Sequence, residues 1–195
     1  MISTDWSALK DRLFFTVENV AVLKGITVPS AHVLCSRYVR RGVFIRLKKN
    51  FYVLNSDWAH YGTRELFRIS NYLQVPSYIS CMTALSYYGI TTQVQRNWYE
   101  SISQRRTMQI ECGGARFVYM KIAKQYYRGF SRQEDVFMAT PEKAFLDAVY
   151  LNSLGRYPLD WDSLDIGRLE AGNLTALMAF FPENVKRRVK EKCRV

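Results

Sequence analysis

Apolar residues follow helical spacing through the first forty or so positions and then switch to a spacing of two, so the chain predicts helices first and strands next. Trp6, Leu9 and Leu13 predict a first helix, capped by Ser3 or Thr4. Thr16 caps a second, with Val17, Val20 and Leu23 inward and Gly25 ending it in the left-handed conformation that glycine adopts readily. Thr27, with Pro29 in the first turn, starts a third that runs to Arg41 and stops at Gly42. Beyond Gly42, Val43, Ile45 and Leu47 alternate with Phe44, Arg46 and Lys48. A second strand over 51–54 follows the turn Lys48-Lys49-Asn50 and closes a hairpin. Three helices, a tight Gly25-Ile26 connection and a hairpin are the order of a winged helix-turn-helix.

The apolar strand gives way over 55–62 to a polar and aromatic connector, which divides the chain into an N-terminal winged helix-turn-helix, residues 1–58, and a second domain, 61–195. In the second, helices are expected over 63–73 and 81–88, the latter ended by Gly89, with a short extended stretch at 78–80. Strands are expected over 98–103, 108–112 and 116–122, the last two joined by Gly113-Gly114. Helices resume over 141–151, 164–180 and 183–192. The fold class is therefore α+β, a small sheet enclosed by helices behind the winged helix.

Composition sharpens this picture. A 195-residue chain that is 48% hydrophobic can bury a core without metal or disulfide, and Cys35, Cys81, Cys112 and Cys193 stand too far apart for a zinc or C-x-x-C redox site. No metal or cofactor is expected, and reduced thiols suit a reducing compartment. No apolar run is long enough to cross a bilayer, and 1–10 has no leader-like apolar core, so the expected location is cytoplasmic.

The formal net charge of +11 points to polyanions, and its distribution points further. Arg37, Arg40, Arg41, Arg46, Lys48 and Lys49 fall between positions 37 and 49 with no acidic residue among them, on the third helix and the wing. These elements reach the major groove and flanking phosphates in helix-turn-helix proteins. Ser30, His32 and Val33, with Ser36 and Arg37 one turn later, are placed to meet base edges, whereas Arg40 and Arg41 are placed for phosphates. Taken singly, His32 reads equally as a solvated surface histidine, and Arg41 as a complement to the helix dipole. A second basic run, Lys186, Arg187, Arg188, Lys190, Lys192 and Arg194, lies on an amphipathic stretch whose Val185 and Val189 face inward.

Catalytic patterns are sparse: His32 and His60 are the only histidines, and there is no nucleophile elbow, Walker loop or dinucleotide fingerprint. Asp160-Trp161-Asp162 is a D-x-D of the kind that holds magnesium beside a nucleotide, but no Gly-Ser loop precedes it at a workable distance, and the stretch reads rather as a loop or helix start with Asp162 or Ser163 as its cap. The chain is expected not to be an enzyme.

Three strings are similar to those of the AbiEi antitoxins of type IV toxin–antitoxin systems, a family of predicted regulators of viral defence. They are Arg41-Gly42-Val43 at the start of the hairpin, Tyr78-Ile-Ser80 with Thr83-Ala-Leu-Ser-Tyr-Tyr-Gly89, and Ala139-Thr-Pro-Glu-Lys-Ala-Phe-Leu-Asp147. The last also makes sense as a helix start, with Thr140 as cap, Pro141 at the first position and Glu142 in the first turn. The chain departs from the family pattern at Tyr88, where His is frequent, and at the wing turn, which carries no glycine. The resemblance implies an antitoxin and autorepressor whose winged helix binds inverted repeats in its own promoter. Its second domain would counter a nucleotidyltransferase-like toxin of the AbiEii type without a stable complex. Two alternatives are a winged-helix regulator whose second domain senses a small ligand, and a nucleotidyltransferase using Asp160 and Asp162.

Overall fold

The computed structural model describes residues 5–93 and 95–193. The caps expected at Ser3 or Thr4 lie outside them, as does Arg194. The protein is mixed α and β, with a two-stranded sheet near its N-terminus and a six-stranded sheet beyond it.

The helix expected from Trp6 through Leu13 is a single 3-10 turn, Ser7–Leu9. The Asp5 carboxylate accepts from the Ser7 amide at 2.8 Å, and Asp11 then takes φ 62°, which ends the helical path. Trp6 and Leu9 are nonetheless buried, so the apolar positions were informative where the element was not. Beyond it, Phe15 exchanges two backbone hydrogen bonds with Tyr52 at 2.8 and 2.9 Å.

Helix α1, Val17–Lys24, starts in a capping box: Asn19 accepts from the Thr16 amide at 2.9 Å while Thr16 accepts from the Asn19 amide. Gly25 closes it at φ 59°. Helix α2, Val28–Arg40, is capped by Thr27, with Pro29 in its first turn. Strands β1, Phe44–Lys48, and β2, Phe51–Leu54, form an antiparallel hairpin with an irregularity between Arg46 and Lys48 that interrupts the expected alternation. Phe44, Tyr52 and Leu54 bury against α1 and α2, whereas Leu47 and Val53 bury in the larger core that follows. The hairpin is thus covered on both faces.

A one-turn helix α3, Asn55–Trp58, leads into α4, Thr63–Leu73. The six-stranded sheet comprises β3 (Ser77–Ile79), β4 (Trp98–Ser103), β5 (Met108–Cys112), β6 (Ala115–Lys121), β7 (Phe130–Gln133) and β8 (Val136–Ala139), in the order β5-β6-β4-β3-β8-β7. Pairs β3–β8 and β4–β6 are parallel, the others antiparallel. Helix α5, Cys81–Tyr87, precedes β4, and α6, Pro141–Ser153, follows β8. On β4, Ser101 bonds to Ser70 of α4 at 2.9 Å, and its neighbour Glu100 accepts from the Met82 amide of α5 at 2.9 Å. Successive strand residues face opposite sides, so helices cover both faces of the sheet.

Strands β7 and β8, four residues each around a Glu134-Asp135 turn, add a hairpin to the strands expected from the sequence, because strands this short carry little periodicity. The helix expected over 164–180 is interrupted: Leu164 pairs as an extended residue with Thr91, a 3-10 turn follows at Ile166–Arg168, and α7 spans only Ala171–Met178, capped by the Glu170 carboxylate. Helix α8, Glu183–Cys193, buries Val185 and Val189 as expected. None of the helices among the described residues is long and apolar enough to cross a membrane.

Candidate nucleic-acid interface

Helix α2 is fixed by its back. Ala31, Leu34, Cys35 and Tyr38 are buried, and Tyr38 packs on Trp6 and Phe44 at ring distances of 4.9 and 5.3 Å. Burial raises the Cys35 thiol to about 11, which leaves it protonated and structural. Because 3.6 residues make a turn, fixing that stripe presents Ser30, His32, Val33, Ser36, Arg37 and Arg40 outward, and all six are exposed. Ser30 is drawn into the helix start: its amide donates to the Thr27 hydroxyl, which donates to the Ser30 oxygen at 3.0 Å.

Arg41 follows at the end of α2, its guanidinium 5.8 Å from the Tyr38 ring. Arg46 stands exposed on β1 opposite Tyr52. Among the described residues, none of Arg37, Arg40, Arg41, Arg46 and Lys49 forms an ion pair. Four guanidiniums and an ammonium are therefore left to solvent around one helix and one strand. Glu18, at the start of α1, is held below the usual carboxylate range first by a hydrogen bond from Asn50 and to a lesser degree by His32.

Lys48 departs from the expected set. Its ammonium donates to the carbonyls of Tyr72 and Leu73 at 2.6 and 3.3 Å and lies 4.3 Å from the Phe51 ring. Its side chain thus turns toward the end of α4 and away from the face formed by Arg46 and α2, and burial lowers its pKa. The irregularity between Arg46 and Lys48 is the physical reason, since it breaks the simple alternation of side chains. The turn itself is short and tethered: Asn50, at φ 64°, accepts from the Val17 amide at 2.9 Å and donates to Glu18 at 2.9 Å. Lys49 at its tip stays exposed.

The hairpin also joins the N-terminal elements to the rest. Phe14 packs between Phe51 and Tyr72 at 4.8 and 5.0 Å, and the Tyr61 hydroxyl lies 3.0 Å from the Arg12 carbonyl and 3.1 Å from that of Leu13. Trp58 donates to the Gly113 carbonyl at 2.7 Å.

The other basic run is largely engaged. Lys186 pairs with Glu183 at 2.7 Å, Arg188 donates to Asn152 at 2.7 Å, and Lys192 sits 5.7 Å from the Trp161 ring. Asp160 caps the 3-10 turn Trp161–Ser163 through the Asp162 amide and accepts from Gln93 at 3.0 Å, so the D-x-D serves a local turn.

Sequence reasoning missed a buried polar centre in the larger core. Lys143 and Asp147, one turn apart on α6, form a fully buried ion pair. Asp147 also accepts from the Tyr78 and Ser80 hydroxyls at 3.0 and 2.8 Å, and the Lys143 ammonium lies 5.4 Å from the Tyr78 ring and 5.3 Å from that of Phe181. Burial raises the Asp147 pKa and lowers that of Lys143, each opposed by the partner's charge. The Tyr78-Ile-Ser80 and Ala139-to-Asp147 strings thus meet in one network. The available signal was Lys and Asp four apart inside an apolar helix. Tyr88 is structural too, donating to the Ala139 carbonyl at 3.0 Å and accepting from Gln133 at 2.6 Å.

No protein-family model matches the chain, and no curated protein is significantly similar to it.

Proposed function

We propose that the chain is a duplex-DNA-binding regulator in which α1 and α2 form a helix-turn-helix, α2 reads the major groove, and β1–β2 is a short wing. The observation that carries this is the outward face of α2 with its flanks: Arg37, Arg40, Arg41, Arg46 and Lys49 are exposed and form no ion pair among the described residues, while an aromatic cluster locks the opposite face. A rigid helix that keeps its cations in water suits polyanion binding, because each phosphate neutralised releases condensed counterions. The order of elements agrees: an extended Phe15 paired with the hairpin, then α1, the three-residue connection Gly25-Ile26-Thr27, α2 and the hairpin. In this reading Ser36 and Arg37 face base edges with His32 and Val33, Arg40, Arg41, Arg46 and Lys49 hold phosphates, and Lys48 belongs to the joint with α4. A gel-shift series with Arg37→Ala and Arg40→Ala tests it.

We further propose, from the resemblance to AbiEi antitoxins, that the α/β region counters a nucleotidyltransferase-like toxin. Supporting it is the meeting of two of the three matching strings, Tyr78-Ile-Ser80 and Ala139 to Asp147, in one hydrogen-bonded network at Asp147. Co-expression with the product of the adjacent gene should relieve growth arrest by that product. Persistent arrest would remove the antitoxin assignment and leave the DNA assignment standing.

A further inference from the structure

Nine large apolar side chains are exposed among the described residues, and three of them, Tyr72, Val75 and Phe137, line one cavity of about 520 Å³ between α4 and the β7–β8 hairpin. Exposed apolar groups gathered in a concavity of this size mark binding sites more often than chance surface. The wall is stiff where it matters. Asn71 clamps the backbone of Phe137 in both directions, accepting from its amide at 2.7 Å and donating to its carbonyl at 3.3 Å. Phe130, behind Phe137, is stacked on the buried Tyr78 at 4.3 Å.

The charged part of the lining is unbalanced. Arg132 and Arg68 approach the same carboxylate, Asp135, at 2.8 and 3.7 Å, so two guanidiniums share one negative charge. The neighbouring Glu134 is committed to Arg64, outside the cavity. The Nε of Arg68 is buried and has no hydrogen-bond partner.

From this geometry we propose that the cavity binds a small planar aromatic acid, its ring against Tyr72 and Phe137 and its carboxylate received by Arg68 and Arg132. The apolar walls select a flat hydrophobic body, and the surplus guanidinium selects an anion over a neutral or cationic analogue. Nothing in this depends on DNA binding.

The test is calorimetric titration of the full chain with naphthalene-2-carboxylate and with the neutral naphthalene-2-methanol. Saturable one-to-one binding is expected, with the acid at least about tenfold tighter, the difference a charge-assisted contact supplies. Arg132→Gln should reduce that preference, and Phe137→Ser or the exposed Val75→Ser should weaken both probes, with thermal unfolding confirming that each variant is folded. Absence of saturable acid binding, equal affinity for acid and alcohol in the wild-type chain, or affinities unmoved in all folded variants would overturn the proposal.

Discussion

The ammonium of Lys48 lies 2.6 Å from the carbonyl oxygen of Tyr72, across 24 residues of chain. With its second bond to Leu73 it occupies the negative end of α4, where orphan carbonyls and the helix dipole both favour a cation. Its neighbour Lys49 makes no such contact and stays exposed at the hairpin turn. Two adjacent lysines of one basic cluster are thereby assigned opposite roles. Lys48→Ala should destabilise the fold by about 1–2 kcal/mol in urea unfolding while leaving the salt dependence of DNA binding unchanged. Lys49→Ala should leave stability alone and reduce the salt slope by about one unit. The reverse pattern would return Lys48 to the proposed DNA-binding set.

Trp58 and Gly113 form a second tie of the same kind. Gly113 sits at φ 56°, and a Cβ added there would collide with the Trp58 indole. Gly113→Ala should therefore cost about 1–3 kcal/mol, from backbone strain and the displaced ring together. In the Trp58→Ala background the penalty should fall to the strain alone, a non-additivity that a double-mutant cycle reads directly. Equal penalties in both backgrounds would show that the ring contact contributes nothing.

In the larger core, Asp147→Ala should be severe, about 3–5 kcal/mol, because it strands the Lys143 ammonium with no exposed route to water. Lys143→Met combined with Asp147→Asn should cost less than the two single changes summed, since it removes the stranded charge and keeps an acceptor for Tyr78 and Ser80. Additive losses on urea unfolding would contradict a coupled pair.

The sequence made local structure legible where a cap or a glycine punctuates it. Thr16, Gly25, Thr27 and Thr140 mark the ends of α1, α2 and α6, and Gly113-Gly114 marks the β5–β6 turn. Contacts between segments distant in the chain were not legible. A left-handed Asp11, the pairing of Phe15 with Tyr52 and the pairing of Leu164 with Thr91 each override helical periodicity, and none leaves a local mark. The same holds for the site: exposure on α2 follows from the spacing of Ala31, Leu34, Cys35 and Tyr38, but the direction of Lys48 depends on a strand irregularity and on α4. It holds for the domain seam as well. Leu47 and Val53 bury in the larger core, so packing crosses the expected division at 58–61 and a fragment beginning at Tyr61 lacks part of it.

Alkaline pH should loosen the joint between the N-terminal elements and the rest. Burial pushes the Tyr61 phenol up to about 12, and its hydroxyl lies within hydrogen-bond distance of the Arg12 and Leu13 carbonyls. A phenol with a raised folded-state pKa contributes stability that is complete below its ordinary value near 10 and is lost as pH rises toward 12. Tyr61→Phe should lower stability at neutral pH yet make its decline between about pH 10 and 12 shallower, by urea unfolding across that range. An unaltered decline would show that Tyr61 does not titrate in that window.

Fluorescence anisotropy with the full chain tests whether the outward face of α2 reads duplex DNA, as proposed. The duplex immediately upstream of the chain's own gene is compared with a scrambled duplex of equal length, for wild type and Arg37→Ala. The upstream duplex should bind at least about 10³-fold more tightly than the scrambled one at physiological salt. Arg37→Ala should forfeit about 1–3 kcal/mol of the upstream affinity and little of the scrambled. Equal affinity for both duplexes, or an Arg37→Ala curve that overlays the wild type on the upstream duplex, would contradict the proposal.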